Sequence, residues 1–401
     1  MNDQTLIFKK GYKPKLSEGS IITPIFKSST FCFEKSSDGA RSFELAYGLD
    51  QKKEGEDPCL IYTRVNNPNM EIVEEKLSVL DGAEASLIFS SGMAAISTTC
   101  LTFLNPGDSL IYSSPVYGGT DYFFKKYLPS KGVNCYEFAC GASYEEILNL
   151  GRETKNLKLI FIETPCNPLI KLTSLVEIEK VKKELNVMTI IDNTFCGPYY
   201  LKPLKFGCDI VLYSVSKFIG GHSDVIAGSV SGKSDLLKKI KGTRTILGSI
   251  SDPDTCWLVQ RSLPTLKMRM EKQCRNAKKL VKMLLMHKNV EKIFYPGHGE
   301  EKDIETFIKE YEDSGSIISF KIKGNKDDCY KVLDNCKVFN LAVSLGSIES
   351  LIQHPSSMTH SDLLENDKLK YGITDNLIRC SIGIESSKDI IEDLDKALNF
   401  V

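Results

Sequence analysis

Lys217 lies in Ser214-Val215-Ser216-Lys217-Phe218-Ile219-Gly220-Gly221-His222-Ser223, just after the apolar run 210–213. A primary amine at the mouth of a buried strand can condense with an aldehyde. Ser214, Ser216 and the glycine pair suit a phosphate bound beside it. Three further groups also stand where apolar runs stop. In Ser90-Ser91-Gly92-Met93, Gly92 permits close backbone approach, and the free amides of a helix start form an anion cup. Tyr117-Gly118-Gly119-Thr120 follows the run 109–112, and its ring can stack on a planar cofactor and donate a proton. Asp192 ends Met188-Thr189-Ile190-Ile191-Asp192, where a buried carboxylate needs a partner such as a protonated pyridine nitrogen. Taken singly, these are a surface lysine, a tight turn, a core tyrosine and a capping aspartate. Taken together, cup, ring, carboxylate and amine follow one another along the chain at strand ends of one sheet. That conjunction points to pyridoxal 5'-phosphate, with Lys217 and Tyr117 doing the chemistry. Gly92, Met93, Tyr117, Asp192, Ser214, Ser216 and Lys217 would hold the cofactor.

The elements that must position these groups alternate strictly. Runs at 86–89, 109–112, 133–138, 157–162, 187–191, 210–213 and 225–230 read as strands, and stretches near 93–104, 119–131, 143–155 and 174–186 as helices. Asn69 is expected to cap a helix that carries Ile72, Val73, Leu77 and Leu80 at helical spacing. Such alternation predicts an α/β fold with a mostly parallel seven-stranded sheet, covered on both faces, whose ligand collects at the strands' carboxyl ends. Past residue 255 the pattern changes to a long helix (266–288), strands at 317–322 and 376–382, and a terminal helix (387–401). The expected division is an irregular arm, 1–67, with a polar loop at 51–57, an α/β domain, 68–255, and a smaller α+β domain, 256–401. With 401 residues the chain is long enough for two or three cores.

Composition narrows the class. A formal net charge of −1 gives no electrostatic case for nucleic acid or an anionic membrane. Thirteen cysteines, scattered without a CxxC pair, read as reduced thiols and not as a metal site. Residues 1–10 lack an export signal's basic start and apolar core, so a cytoplasmic location is expected. One competing motif exists. Ala227-Gly228-Ser229-Val230-Ser231-Gly232-Lys233-Ser234 fits a loose phosphate-loop pattern and would make the chain a nucleotide hydrolase acting through Lys233 and Ser234. Against it, 225–230 reads as a strand, and no apolar run ending in Asp follows to hold magnesium.

From about residue 20 onward the chain resembles the Cys/Met-metabolism (trans-sulfuration) family of pyridoxal phosphate enzymes, of fold type I. The likeness rests on Tyr62-Thr63-Arg64, Asn67-Pro68-Asn69, Ser91-Gly92-Met93, Tyr117-Gly118-Gly119-Thr120 and Glu163-Thr164-Pro165. It continues through Asp192-Asn193-Thr194, Ser216-Lys217, Gly221-His222-Ser223, Ser344-Leu345-Gly346 and His354-Pro355-Ser356. The resemblance implies that Tyr62 and Arg64 reach into a neighbouring subunit to bind its phosphate, so that active dimers assemble into a homotetramer. It implies that Arg379, assisted by Ser344 and Asn167, grips the α-carboxylate of a small amino-acid substrate. Lys217 would move protons at Cα and Cβ, and Tyr117 would protonate the departing γ-substituent. The implied activity is γ-elimination on a sulfur amino acid, with L-methionine the leading substrate. The cystathionine lyases and the γ-replacing synthases or homoserine-ester sulfhydrylases are the alternatives. Val343 stands where cystathionine enzymes of the family usually carry Glu, and Tyr122 where many carry Arg. Both favour an uncharged thioether tail. Gly119 stands where family members acting on methionine have Cys, which points the other way. The stretch 44–58 is longer than in several relatives, and Ser216 replaces a commoner Thr.

Overall fold

The computed structural model describes residues 1–401 except Gly55, Asp57 and Pro58. The stretches singled out at 51–57 and 44–58 therefore lie partly outside the described residues. The larger sheet comprises β1 (Ala85–Phe89), β2 (Ser109–Ser114), β3 (Asn134–Ala139), β4 (Leu157–Glu163), β5 (Met188–Asp192), β6 (Ile210–Ser214) and β7 (Gly228–Gly232). Its order is β1-β7-β6-β5-β4-β2-β3, and only β7 runs against the others. Its central strands are nearly continuous apolar runs because both faces are covered. Successive side chains point to opposite sides, so Ile160, Ile162, Ile191 and Val211 join one core, while Leu159, Phe161, Ile190 and Leu212 join the other.

Local chemistry sets the helix starts. Ser91 caps the helix Gly92–Phe103, accepting from the Ala94 amide at 3.0 Å. Ser143 and Glu146 form a capping box at Tyr144–Glu153. The helix expected to start at Asn69 is instead capped by Asn67 and carries Pro68 in its first turn, where a missing amide costs nothing. Asn69 has another task. Its amide accepts from Phe26 N (2.8 Å) and donates to Pro24 O (2.9 Å), strapping the N-terminal arm to the body. That arm is less irregular than its sequence implies, since it contains helices Asp3–Lys9 and Ser36–Ala46.

The strand expected at 225–230 lies at 228–232, with consequences for the phosphate-loop motif. Gly232 pairs with Ala85 on one side and Ile210 on the other, so the central part of that motif is an interior strand. Backbone amides committed to two ladders cannot cradle a phosphate, and the nucleotide-hydrolase reading falls.

The smaller sheet is built from β8 (Val290–Phe294), β9 (Ile317–Ile322), β10 (Asn340–Leu341), β11 (Leu351–Gln353) and β12 (Leu377–Ser381), in the order β10-β11-β12-β9-β8. Helices Leu266–Met286, Lys326–Asn335 and Ser387–Leu398 contribute to its core. Only β9 and β12 were legible in advance; the short edge strands carry little apolar pattern. Among the described residues, no helix is long and apolar enough to cross a membrane.

Gly228 is where the sheet is tightest. It pairs with Phe89 at the end of β1 and with Ser214 at the end of β6. A Cβ there would lie 2.1 Å from the Ser91 carbonyl oxygen. Substituting Gly228→Ala should therefore force β1 and β7 apart, at a cost of about 1–3 kcal/mol. The expected outcome is a lowered melting temperature together with weakened cofactor affinity; unchanged values for both would contradict this packing.

Candidate active site at the carboxyl edge of the large sheet

Parallel strands deliver their last residues to one edge, and the expected groups meet there. β1 leads into Ser91-Gly92-Met93, β2 into Tyr117, β4 ends at Glu163, β5 at Asp192 and β6 at Ser214. Gly92 lies so close to Ser214 that a Cβ would sit 2.9 Å from the Ser214 Cβ and 3.1 Å from its Oγ. The helix start and the lysine segment thus share one small recess, with the amides of Gly92 and Met93 in the helix's first turn.

Asp192 is buried, and burial lifts its carboxyl to about 6. Among the described residues its two hydrogen bonds both fall on Oδ1, from Thr194 N (3.0 Å) and Thr194 Oγ1 (2.6 Å). Oδ2 is left for a further donor. Thr194 Oγ1 also accepts from the Ser214 amide at 2.8 Å, joining the end of β5 to that of β6.

Lys217 donates to Ser344 Oγ at 2.7 Å. Burial, and second the nearby Arg379 cation, push its amine down to about 8. At pH 7 this shift raises the neutral, nucleophilic fraction by roughly two orders of magnitude over an ordinary lysine. Ser344 has φ 86°, a left-handed conformation that a non-glycine residue adopts at a cost of about 1–3 kcal/mol. Arg379, 3% exposed, donates to Asn167 Oδ1 (2.7 Å) and to Ser344 O (2.8 Å). With its amide oxygen turned toward the guanidinium, Gln353 accepts from Nε at 3.0 Å. Asn167, Ser344, Arg379 and Lys217 thus form one connected cluster, and Val343 stands at its rim, 52% exposed.

Three expected residues make their contacts elsewhere. Ser216 turns its hydroxyl to the backbone of Ala227, donating to O (3.3 Å) and accepting from N (3.1 Å). Tyr62 and Arg64 stay apart from the cluster within one chain. Arg64 donates to Thr245 O (2.7 Å) and stacks over the Tyr62 ring at 5.9 Å, and the ring is 43% exposed.

The residues missed by sequence reasoning are those that support the others. Glu163 is buried and accepts from the amides of Tyr117 (Oε2, 2.7 Å) and Asn167 (Oε1, 3.1 Å). Burial, and second the neighbouring Asp192, hold its carboxyl well above the usual range. Glu163 and Thr194 both lie in motifs that carry the family resemblance, Glu163-Thr164-Pro165 and Asp192-Asn193-Thr194, but neither was given a role; Gln353 carried no signal. His360 is buried near Arg379, and burial followed by that cation depresses it to about 4.

A buried lysine amine of lowered pKa, an anion recess and a buried carboxylate on one doubly covered sheet fit a pyridoxal-phosphate enzyme of the α/β type. The family described as "Cys/Met metabolism PLP-dependent enzyme" matches residues 4–399, and the chain belongs to it. It is 39% identical over 383 residues to the L-methionine γ-lyase of Fusobacterium nucleatum, covering 95% of this chain and 94% of that one. It is 36% identical over 399 residues to the cystathionine γ-lyase of Bacillus subtilis, covering 99% of each. The structure of cystathionine γ-synthase from Xanthomonas oryzae in complex with cystathionine superposes with a TM-score of 0.89 at 31% identity. It covers 100% of this chain and 98% of that one. The enzyme is accordingly a pyridoxal-phosphate-dependent carbon–sulfur lyase of the trans-sulfuration type. The donor set fits its cofactor: amides at Gly92 and Met93 with the Ser214 hydroxyl for a phosphate, Asp192 Oδ2 for a ring nitrogen, and Lys217 for the aldehyde.

The amine's displaced pKa has a sign that can be tested. Neutral amine attacks an aldehyde and ammonium does not, so cofactor uptake by the stripped protein should accelerate with pH and level off above about pH 8. Reconstitution rates followed by absorbance from pH 6 to about 10 measure this. A rate still climbing steeply at the upper end would mean an unperturbed lysine.

Proposed function

We propose that the enzyme catalyses γ-elimination on L-methionine, giving 2-oxobutanoate, ammonia and methanethiol with the uptake of one water. The observation that carries the choice of substrate is the uncharged rim. Val343 adjoins Ser344, the residue that receives the Lys217 hydrogen bond, and neither Val343 nor the exposed Tyr122 offers a charge to a zwitterionic tail. A methylthio tail loses nothing there, whereas cystathionine's second amino and carboxylate groups would want partners. The relation to the Fusobacterium methionine γ-lyase agrees with this choice.

In this reading Arg379 binds the α-carboxylate as a bidentate pair, with Asn167 and the Ser344 carbonyl fixing the guanidinium plane. Bound pyridoxal phosphate supplies an electron sink for the substrate carbanion. Lys217 Nζ takes the Cα proton and then works at Cβ, its low pKa leaving it able to accept and return a proton near neutrality. The Tyr117 hydroxyl, on a half-exposed ring, donates to sulfur as the Cγ–S bond breaks. Asp192 holds the ring nitrogen, while Gly92, Met93 and Ser214 hold the phosphate. Ser216 contributes by keeping the turn closed on Ala227.

Tyr62 and Arg64 act in a second copy of the chain. Their exposure, and their separation from their own Lys217, support a site completed across a dimer. Exposed Ile21, Ile226 and Ile246 offer apolar surface for assembly into a homotetramer. The division into an arm (1–67), a cofactor domain (68–255) and a C-terminal domain (256–401) belongs to this proposal, as does a cytoplasmic location.

Two experiments test it. With the cofactor bound, L-methionine should release 2-oxobutanoate and a thiol, while Lys217→Ala should lose turnover as a folded protein. Turnover of cystathionine or a homoserine ester with none of methionine would move the assignment to a γ-lyase or a γ-replacing synthase. Second, Arg64→Ala and Lys217→Ala should each be inactive, yet regain activity when unfolded and refolded together. A mixed dimer then has one site with both Lys217 and the other copy's Arg64. Absence of any regained activity would overturn the shared site.

A further inference from the structure

We infer that Glu163 is a positioning residue which couples the ring over the cofactor to the clamp on the substrate carboxylate. The inference rests on the reading of Arg379 and Asn167 as that clamp. Each oxygen of the Glu163 carboxylate accepts one backbone amide, Tyr117 N at 2.7 Å and Asn167 N at 3.1 Å. The first amide belongs to the residue that carries the phenol, at the start of the short helix Gly118–Tyr122. The second belongs to the residue whose side chain accepts from Arg379 Nη1 at 2.7 Å. Tyr117 and Asn167 follow different strands, β2 and β4, and this side chain bridges them. The bridge is firmly seated, because Glu163 N donates to Ser113 Oγ at 3.0 Å and Glu163 stands opposite Asp192 in the β4–β5 ladder.

A carboxyl group is needed because the two amides reach different oxygens, Tyr117 N at Oε2 and Asn167 N at Oε1, so each position must hold an acceptor. Glutamine has the same shape but one acceptor. In Glu163→Gln, either Tyr117 N or Asn167 N must face an NH2 group, and one of the two loops moves. The affected quantity is the fit of the substrate's carboxylate and of the ring, not overall packing alone.

The test uses the cofactor-loaded enzyme and L-alanine, which has the α-carboxylate but no γ leaving group, with its dissociation constant read from the cofactor's visible spectrum. E163Q should weaken L-alanine binding about tenfold and alter the cofactor band before any ligand is added. Ser113→Ala removes the hydroxyl that accepts from Glu163 N but leaves both carboxyl–amide bonds in place, and should change both readouts much less than E163Q does. For L-methionine, E163Q should raise KM as well as lower kcat. Glu163→Asp keeps both carboxyl oxygens but withdraws them by one methylene, and should show the same pattern if E163Q does not fold. Unchanged L-alanine affinity in a folded E163Q would overturn the inference, as would equal losses in E163Q and S113A. Arg379→Lys separates the two levels. If it leaves L-alanine binding intact, the carboxylate clamp itself is wrong; if it weakens binding while E163Q does not, only the role of Glu163 falls.

Discussion

Two carboxylates, Glu163 and Asp192, end adjacent parallel strands side by side and away from water. A buried charge without a partner is too costly to keep, and two like charges in register are worse. Everything around them answers that constraint. Glu163 spends both oxygens on backbone amides, and Asp192 spends one oxygen on Thr194. The second Asp192 oxygen is left for a further donor, the place that the proposed reading gives to a protonated ring nitrogen. Arg379 brings one permanent positive charge into the same volume. Burial, and second that charge, push the Lys217 amine toward neutrality. The site thus separates two cationic roles: a guanidinium that keeps its charge and an amine that gives it up.

The lysine could not be placed by the large sheet alone. Its turn is held from the C-terminal half of the chain. Arg269, on the helix Leu266–Met286, donates to Phe218 O (2.8 Å) and Ile219 O (3.2 Å), satisfying carbonyls that the turn leaves buried. Gly221 must lack a side chain, since a Cβ there would fall 1.8 Å from Arg269 Nη1. From the other side Gly346 comes so near that its Cβ would meet Phe218 N at 2.6 Å. The left-handed Ser344 is therefore over-determined: Gly346 packs on the lysine turn and the Ser344 carbonyl is bound by Arg379. Strain of that kind persists only where the surroundings fix the backbone from several directions.

These arrangements explain which parts of the protein were legible in its sequence. Strand ends were, because apolar runs buried on both faces stop abruptly at polar residues. Ser91, Tyr117, Asp192 and Lys217 all sit at such stops. Glu163 sits at one too, but a carboxylate facing two amides looks no different in sequence from one facing solvent. Helices Asp3–Lys9 and Ser36–Ala46 were missed because their polar, arm-bound sequences carry little core face. The three-residue β11 and the two-residue β10 are too short for a period of two to register. Position 216 shows a contact that the sequence does not reveal. A hydroxyl beside a reactive lysine invites a ligand contact, yet here it closes its own turn onto Ala227.

Burial also accounts for how the family's shared chemistry and its divergent substrates can occupy one cleft. Asp192, Glu163 and Arg379 each support others through several hydrogen bonds in a water-poor region, so a change at one unseats its neighbours. Val343, beside Ser344, and Tyr122, at the end of the helix that Tyr117 begins, are half or more exposed, and substitution there costs little stability. A charge added at the rim would meet the far end of the substrate while leaving the Arg379 clamp and the Lys217 amine as they are. An uncharged rim over an intact charge cluster favours substrates whose polarity is confined to the α-carbon. Among sulfur amino acids, in the proposed reading, this is a short thioether.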